Sequence, residues 1–278
     1  MYRFMRFPLF RTKALTVSYD NGVIYDKKLI KILDENSIKG TFNLNSGEWG
    51  FRRRMPQDEA YELFADGRHE VAVHGEHHLS LDEIPSSSAL AEILNDRQNL
   101  EKIFGRIIRG MSYANNSYGE NVKNLIKQCG IVYARTTTET ERFDIPQDFL
   151  AMPTTCHHDN PRLNELIDKF LAPDINYYWA VTPRLFSLWG HSYEFNDNNN
   201  WDVIENFAKR MGNRDDVWYA TCIELYEYVR AYDSLIYSAD GNTIRNPTDT
   251  DVYLCYYGKN FLVPAAKQIT VEVNKTVR

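Results

Sequence analysis

The chain has only four cysteines in 278 residues, and Cys129, Cys156, Cys222 and Cys255 are scattered without a Cys-x-x-Cys pair. This argues against a disulfide framework and a thiolate zinc site, and it reads as free, mostly buried thiols of a reducing compartment. Long apolar runs are also missing. None approaches the roughly 18 residues that span a bilayer, so membrane insertion is excluded. Residues 1–8 lack the apolar stretch and small-residue cleavage site of a secretory signal, and the expected location is the cytoplasm. There is no basic excess either: a formal charge of −6 and a pI near 5.7 leave no general footprint for nucleic acid, which relies on clustered Lys and Arg. The one basic run, Arg52-Arg53-Arg54, reads as a solvated loop. What remains is globular, with 43% hydrophobic and 13% aromatic residues, at a length ordinary for one α/β barrel.

Apolar, β-branched stretches alternate with segments of helical period, the pattern of a parallel sheet with crossover helices. Strands are expected at residues 15–19, 41–44, 70–73, 107–113, 131–136, 185–189 and 217–221. Between them, 26–36 sets Leu29, Ile30, Ile32 and Leu33 among charges, and 88–104 carries Leu90, Ile93, Leu94, Leu100 and Ile103, so both are amphipathic helices. A helix over 121–129 is closed by Gly130 as C-cap. Helices over 201–211 and 223–236 complete the set, the last opened by a Thr221 and Glu224 capping box that makes Glu224 structural. After Asn246-Pro247 the character changes, and 251–257 and 268–273 read as short strands around Gly258. The expectation is a main α/β domain over 1–245 with a small C-terminal β extension over 246–278 packed on it.

Three of the seven histidines fall in His74-Gly75-Glu76-His77-His78, directly after the apolar segment 70–73. His74 and His78 are four apart, so on one turn of helix their rings share a face and can share one cation. The alternative is a polar turn with solvated imidazoles. In parallel α/β folds, ligands sit outside the carboxyl ends of the strands, and polar side chains recur there. Asp20 and Asn21 follow the first strand, Asn43 and Asn45 end the second, and the histidines follow the third. Tyr113, Asn115 and Asn116 follow the fourth, Arg135 ends the fifth, and His191 follows the sixth in Leu188-Trp189-Gly190-His191. A merely structural sheet does not require this.

Other residues read as less informative. His77 is expected to point outward. In Cys156-His157-His158-Asp159, Asp159 or Asn160 caps a helix from Pro161, and adjacent histidines point apart and do not readily share a metal. His157, His158 and Glu194 receive no role. Trp49 and Trp189 are taken as core, and Tyr113 as a surface on which a sugar stacks.

Taken in order, Leu15-Thr16-Val17-Ser18-Tyr19-Asp20-Asn21-Gly22, Lys39-Gly40-Thr41-Phe42, His74-Gly75-Glu76-His77-His78 and Leu188-Trp189-Gly190-His191 resemble the successive motifs of the polysaccharide deacetylases, the NodB-like carbohydrate esterases. The resemblance covers about residues 13–193. It implies a distorted (β/α)7-type barrel, in keeping with the strand count, and metal-assisted removal of acetyl groups from N-acetylated or O-acetylated sugars. It further implies that Asp20 is the general base and His191 the general acid. Asn21 takes the position of an acidic metal ligand beside His74 and His78, and a backbone N–H near Tyr113 helps hold the oxyanion. One divalent ion is expected, zinc before cobalt, nickel or manganese, bound weakly because Asn21 is neutral. The stretch Arg109-Gly110-Met111-Ser112-Tyr113 is out of register with the family's Arg-x-Pro-Tyr, Ala114 stands where proline is common, and no carboxylate-rich fourth motif is found. Arg135 is therefore the candidate for orienting the base, the alternative being an exposed strand arginine. The expected partner is an acetylated carbohydrate.

Two other readings stay open. A catalytically weakened carbohydrate-binding protein on the same scaffold is motivated by Asn21. A barrel glycosidase using Glu76 and Glu194 leaves the histidines unexplained. A zinc protease is disfavoured, because His-Glu-x-x-His places its acid second and here the acid is third.

Overall fold

The computed structural model describes residues 2–174, 181–256 and 258–271. After a two-residue strand, β1 (Met5–Arg6), the chain forms β2 (Lys13–Asp20), α1 (Asp26–Glu35), β3 (Thr41–Leu44), α2 (Gln57–Phe64), β4 (Glu70–Val73), α3 (Ser86–Phe104), β5 (Gly110–Ser112), α4 (Glu120–Gln128) and β6 (Tyr133–Glu139). Two short strands, β7 (Met152–Thr154) and β8 (Cys156–His157), precede α5 (Leu163–Leu171), β9 (Arg184–Gly190), α6 (Ser192–Asp197), α7 (Asp202–Met211), β10 (Val217–Tyr219) and α8 (Cys222–Asp233). The rest is β11 (Ile236–Tyr237), β12 (Thr243–Arg245), β13 (Val252–Tyr256), β14 (Lys259–Val263) and β15 (Gln268–Thr270).

The main sheet is parallel and mixed with helices, in the order β7-β6-β5-β4-β3-β2-β9-β8. β2 is its axis, with all eight residues buried. One of its edges pairs with β9 along Lys13 to Tyr19, and the other pairs first with β10 at Lys13 to Leu15, then with β3 at Ser18 to Asp20. Burial on both faces is what a covered parallel strand requires, and it explains the near-continuous Ala-Leu-Thr-Val stretch. At the far end, β7 pairs with β6 while β8 pairs with β9. Only Thr155 lies between them, and its N–H donates to the Ser187 carbonyl at 2.8 Å. The strand order thus returns on itself through Thr155.

The helices cover the outside as their periodicity demands. Leu29, Ile30, Ile32 and Leu33 of α1 are buried, as are Ile93 and Leu100 of α3. Gly130 lies past the end of α4 at φ 75°, with its N–H on the Lys127 carbonyl at 3.0 Å, the left-handed stop expected of it. Thr221 and Glu224 form the reciprocal box that opens α8.

Two strand expectations are corrected. The fourth is only Gly110–Ser112, because Ile107 is 78% exposed and outside the sheet. The run from Met152 to His157, with Pro153 in it, is an unexpected strand that occupies the place between β6 and β9, while β10 takes the lower part of the lane occupied by β3. In the C-terminal part, β13 pairs antiparallel with β1 and β14, and β12 pairs with β11 and β15. Tyr257 and residues 272–278, which fall within the expected tail, lie outside the described residues. Cys129, Cys156 and Cys222 are buried and Cys255 is half-buried, all as free thiols. Among the described residues no helix is long and apolar enough to cross a membrane.

Candidate active site

Asp20, the last residue of β2, is 2% exposed. Arg135 Nη2 bonds both its oxygens, Asn43 Nδ2 donates to Oδ1 at 2.8 Å, and Ser112 Oγ donates to Oδ1 at 3.0 Å. Burial alone would raise this carboxyl, but the Arg135 guanidinium, through its charge and its hydrogen bonds, holds it well below the usual carboxylate range. Arg135 is itself 1% exposed. Its Nε donates to Ser18 Oγ at 3.1 Å and its guanidinium lies 4.9 Å from the Trp189 ring centroid, so it is no exposed strand arginine. Arg109 instead pairs with Glu227 on the outside.

The His74 to His78 segment is not helical, which corrects the basis on which the two rings were paired. Gly75 has φ 84° and His78 φ 59°, so the chain folds back in a loop. The loop is tied from outside: Asn45 Nδ2 donates to the carbonyls of His74 and Gly75 at 2.9 and 2.8 Å, and Glu92 Oε1 accepts from the N–H of His77 at 2.7 Å and of Leu79 at 3.2 Å. Asp96 accepts the N–H of His74 at 3.0 Å and of Ser46 at 2.7 Å, and burial pushes its carboxyl up to about 7. The His74 and His78 rings still meet edge to face with centroids 4.7 Å apart, while His77 points outward and is exposed.

His74 Nδ1 lies 3.0 Å from the Ser112 carbonyl, an acceptor only, so Nδ1 carries the proton and Nε2 keeps the lone pair. Nε2 is buried, has no hydrogen-bond partner, and lies 4.0 Å from Asp20 Oδ2. Burial pushes His74 down to about 3, so the ring is neutral, and burial lowers His78 as well. Asn21, at φ 86°, also has a buried side-chain oxygen, Oδ1, without a partner, and its carbonyl accepts from Arg54 at 2.7 Å. An amide oxygen and imidazole nitrogens are donor types that a borderline divalent cation accepts, and Asn21 Oδ1 and His74 Nε2 are free of other partners. A backbone carbonyl fixing the other nitrogen of a ligating histidine is the usual arrangement.

His191 follows β9, half-buried, with Nδ1 3.3 Å from Glu194 Oε1 and its ring beside Trp189 and Tyr193. Its ring neighbour Tyr193 lines the same cavity as His78. That cavity, of about 410 Å³, is also lined by Glu48, Phe51 and Arg54 among others. Arg54 is not the solvated residue expected. It is mostly buried and paired with Glu48.

Tyr113 is corrected on both counts. Its N–H donates to the Arg135 carbonyl at 3.0 Å, its hydroxyl donates to the Leu150 carbonyl at 2.6 Å, and its ring is 1% exposed and stacked on Tyr118. It has neither a free donor for an oxyanion nor a face for a sugar. Ser112, Glu92 and Asp96 were not anticipated. Ser112 sits at a strand end beside Tyr113, and Glu92 and Asp96 are acids four apart on the apolar face of α3, a pattern that signals a buried task.

Residues 10–134 match the family model of the polysaccharide deacetylases. The matched segment makes up under half of the chain. It carries Asp20, Asn21, His74 and His78 and ends one residue before Arg135, with His191 further on. Among curated proteins the chain has no match. Of solved structures, a putative polysaccharide deacetylase from Mycobacterium smegmatis superposes with TM-score 0.58 and 18% identity, covering 83% of this chain and 94% of that one. A PuuE allantoinase does so with TM-score 0.59 and 12% identity, covering 80% and 91%. At these identities the likeness is one of fold. The chain spans 45% of the length of a Bacillus cereus polysaccharide deacetylase, at 20% identity over 50% of this chain and TM-score 0.44. The arginine paired with Asp20 is Arg135 of β6, and not Arg109, which pairs with Glu227.

Proposed function

We propose that the chain is a metal-dependent deacetylase of N-acetylated or O-acetylated sugars. Asp20 is its general base, His191 its general acid, and Asn21, His74 and His78 hold one divalent ion, zinc first. The observation that carries this reading is the pair of buried, partnerless acceptors, Asn21 Oδ1 and His74 Nε2, the latter 4.0 Å from a carboxylate fixed by Arg135. When bound, the ion supplies polarisation of the acetyl carbonyl and acidification of water. Asp20 Oδ2, the oxygen nearer His74, accepts the proton of the attacking water. Arg135, Asn43 and Ser112 keep its carboxylate ionised and aimed. His191, with Glu194 beside Nδ1, donates a proton to the departing amine or alcohol. Arg135 orients the base and does not itself touch substrate.

A weakened sugar-binding protein is the second reading, favoured by the neutral Asn21 and by the number of donors that already occupy Asp20. Acetate release from acetylated sugar oligomers with added zinc, cobalt or nickel separates the two. An enzyme releases acetate, and a binding protein only retains the sugar. His74→Ala and His78→Ala are each expected to abolish metal uptake at this site. Asp20→Asn is expected to keep the metal and lose turnover, and its thermal stability is measured alongside because it leaves Arg135 without a counter-charge. Asn21→Asp is expected to tighten the metal, and unchanged affinity would remove Asn21 from the ligand set.

A further inference from the structure

Outside the constellation around Asp20, one cluster holds a buried atom with nothing to bind. His158 is 1% exposed. Its Nε2 lies 3.3 Å from Glu194 Oε2 and 3.3 Å from Asp159 Oδ1, yet it has the alignment of a hydrogen bond to neither. His157 Nε2 is 3.1 Å from the same Glu194 oxygen, and the four ligand atoms all lie within 4.8 Å of one another. Donors about 2.0–2.1 Å from a tetrahedral zinc ion stand about 3.3 Å apart. That is the spacing from His158 to each carboxylate. We propose that His158 Nε2, Asp159 Oδ1 and Glu194 Oε2 form a second divalent-cation site, of zinc type, separate from Asn21, His74 and His78.

Proton positions decide the ligand set. The Asp159 N–H donates to His157 Nδ1 at 3.2 Å, so that ring carries its proton on Nε2, which points at Glu194. His157 therefore orients the carboxylate and does not ligate. The two adjacent rings do not point apart, contrary to expectation, because regular strand alternation stops at His157. Their centroids are 4.2 Å apart. His158 Nδ1 faces the Tyr19 hydroxyl at 3.3 Å, and its ring lies nearly parallel to Tyr19 and stacks on Phe195. The hydroxyl can accept the Nδ1 proton, which leaves the Nε2 lone pair aimed between the two carboxylates. Gly190 makes this position possible, since a Cβ there would stand 2.0 Å from His158 Nδ1. One imidazole and two carboxylates, with a fourth position open and the side chain of Asp159 reaching solvent, suit zinc or a similar borderline ion and give it an entry path. The ion would clip the segment after β8 to the first turn of α6, next to His191.

The test is metal stoichiometry, and it does not depend on deacetylation. Protein stripped of metal and titrated with zinc chloride alone is expected to take up two equivalents, read by calorimetry and by elemental analysis. Asp159→Ala and His158→Phe are each expected to lose one equivalent and keep the other, with the fold checked by circular dichroism. Asp159→Ala, at an exposed position, serves if His158→Phe does not fold. His157→Ala is expected to weaken this equivalent about 10- to 100-fold. The double variant His74→Ala, His78→Ala is expected to retain it, so that failure of the first site and failure of this one are told apart. Zinc uptake by Asp159→Ala equal to that of the unaltered protein in number and affinity would overturn the proposal. So would a single equivalent that vanishes with His74 and His78.

Discussion

Asp20 shows how a carboxylate stays charged where burial opposes it. Its pair with Arg135 is almost fully enclosed, at 3% and 1% side-chain exposure. A buried pair of this kind is a weak net stabiliser but costly to break on one side, because the partner is left as an uncompensated charge. Arg135→Met is therefore expected to lower the unfolding free energy by about 3–5 kcal/mol, since only Asn43 and Ser112 would then hold the carboxylate. Adding Asp20→Asn should recover part of that loss. Urea denaturation of the two variants checks it, and a loss below about 1 kcal/mol for Arg135→Met would show that water reaches the site and solvates Asp20. At this scale the sequence was legible wherever position alone carried the information. Asp20, Asn21 and His191 stand at or just past strand ends, whereas Arg135 lies inside β6, which runs on to Glu139, and reaches Asp20 from there. Tyr113 was misjudged because the fate of its N–H and hydroxyl depends on Arg135 and Leu150, 22 and 37 residues away, and local pattern does not encode such partners.

Among the elements of the main sheet, the strands legible in the sequence are those with a run of apolar, β-branched residues, and the stretch that escapes recognition lacks one; outside that sheet β1, β11, β12 and β14 escape it as well. Met152 to His157 holds Pro153 and a Cys-His-His sequence, and Pro argues against a strand inside a sheet. It is tolerated here because β7 is three residues long and its pairing with β6 shifts register between Arg135 and Glu139. The His74 to His78 loop teaches a related lesson. The spacing suggested a helical turn, whereas the rings are brought together by two positive-φ positions and by Asn45, Glu92 and Asp96 pulling on the backbone. A tight passage likewise sets the short β5. A Cβ on Gly110 would stand 2.2 Å from the Tyr133 ring and hydroxyl, and Tyr133 is fully buried with its hydroxyl on Glu70 at 2.7 Å. Gly110→Ala is expected to destabilise by about 1–3 kcal/mol or more as an overpacked contact, seen as a drop in thermal midpoint. Gly110→Ala combined with Tyr133→Phe should not restore it, because the ring, not only the hydroxyl, is in the way.

Across the whole molecule, acids whose carboxyls burial has raised, Glu70, Asp26 and Asp96, tie stability to pH. Glu70, at the start of β4, accepts from Tyr133 Oη at 2.7 Å, Thr41 Oγ1 at 2.8 Å and the Ile223 N–H at 3.0 Å, joining β3, β4, β6 and α8. Burial outweighs these bonds and pushes its carboxyl from 4.5 up to about 7. Burial places Asp26 and Asp96 near the same value. Between the unfolded and folded values the native chain holds a proton that the unfolded chain has released, so the unfolding free energy falls as pH rises. The contribution is fully present below the unfolded value and is lost on passing through the folded one. A shift from 4.5 to about 7 corresponds to a contribution on the order of 3 kcal/mol for Glu70, at about 1.4 kcal/mol per unit. Asp20 and Glu194, both depressed, act in the opposite sense but only below about pH 4, so they leave this window clear. Below about pH 6.5 His69, His74, His78 and His158, all lowered by burial, act in the opposite sense. Urea unfolding is therefore expected to show declining stability from about pH 6.5 to 8, and Glu70→Gln, neutral throughout, should flatten that slope by Glu70's share. Equal slopes in the two proteins would mean that Glu70 is already ionised in the folded barrel, with its three donors outweighing its burial.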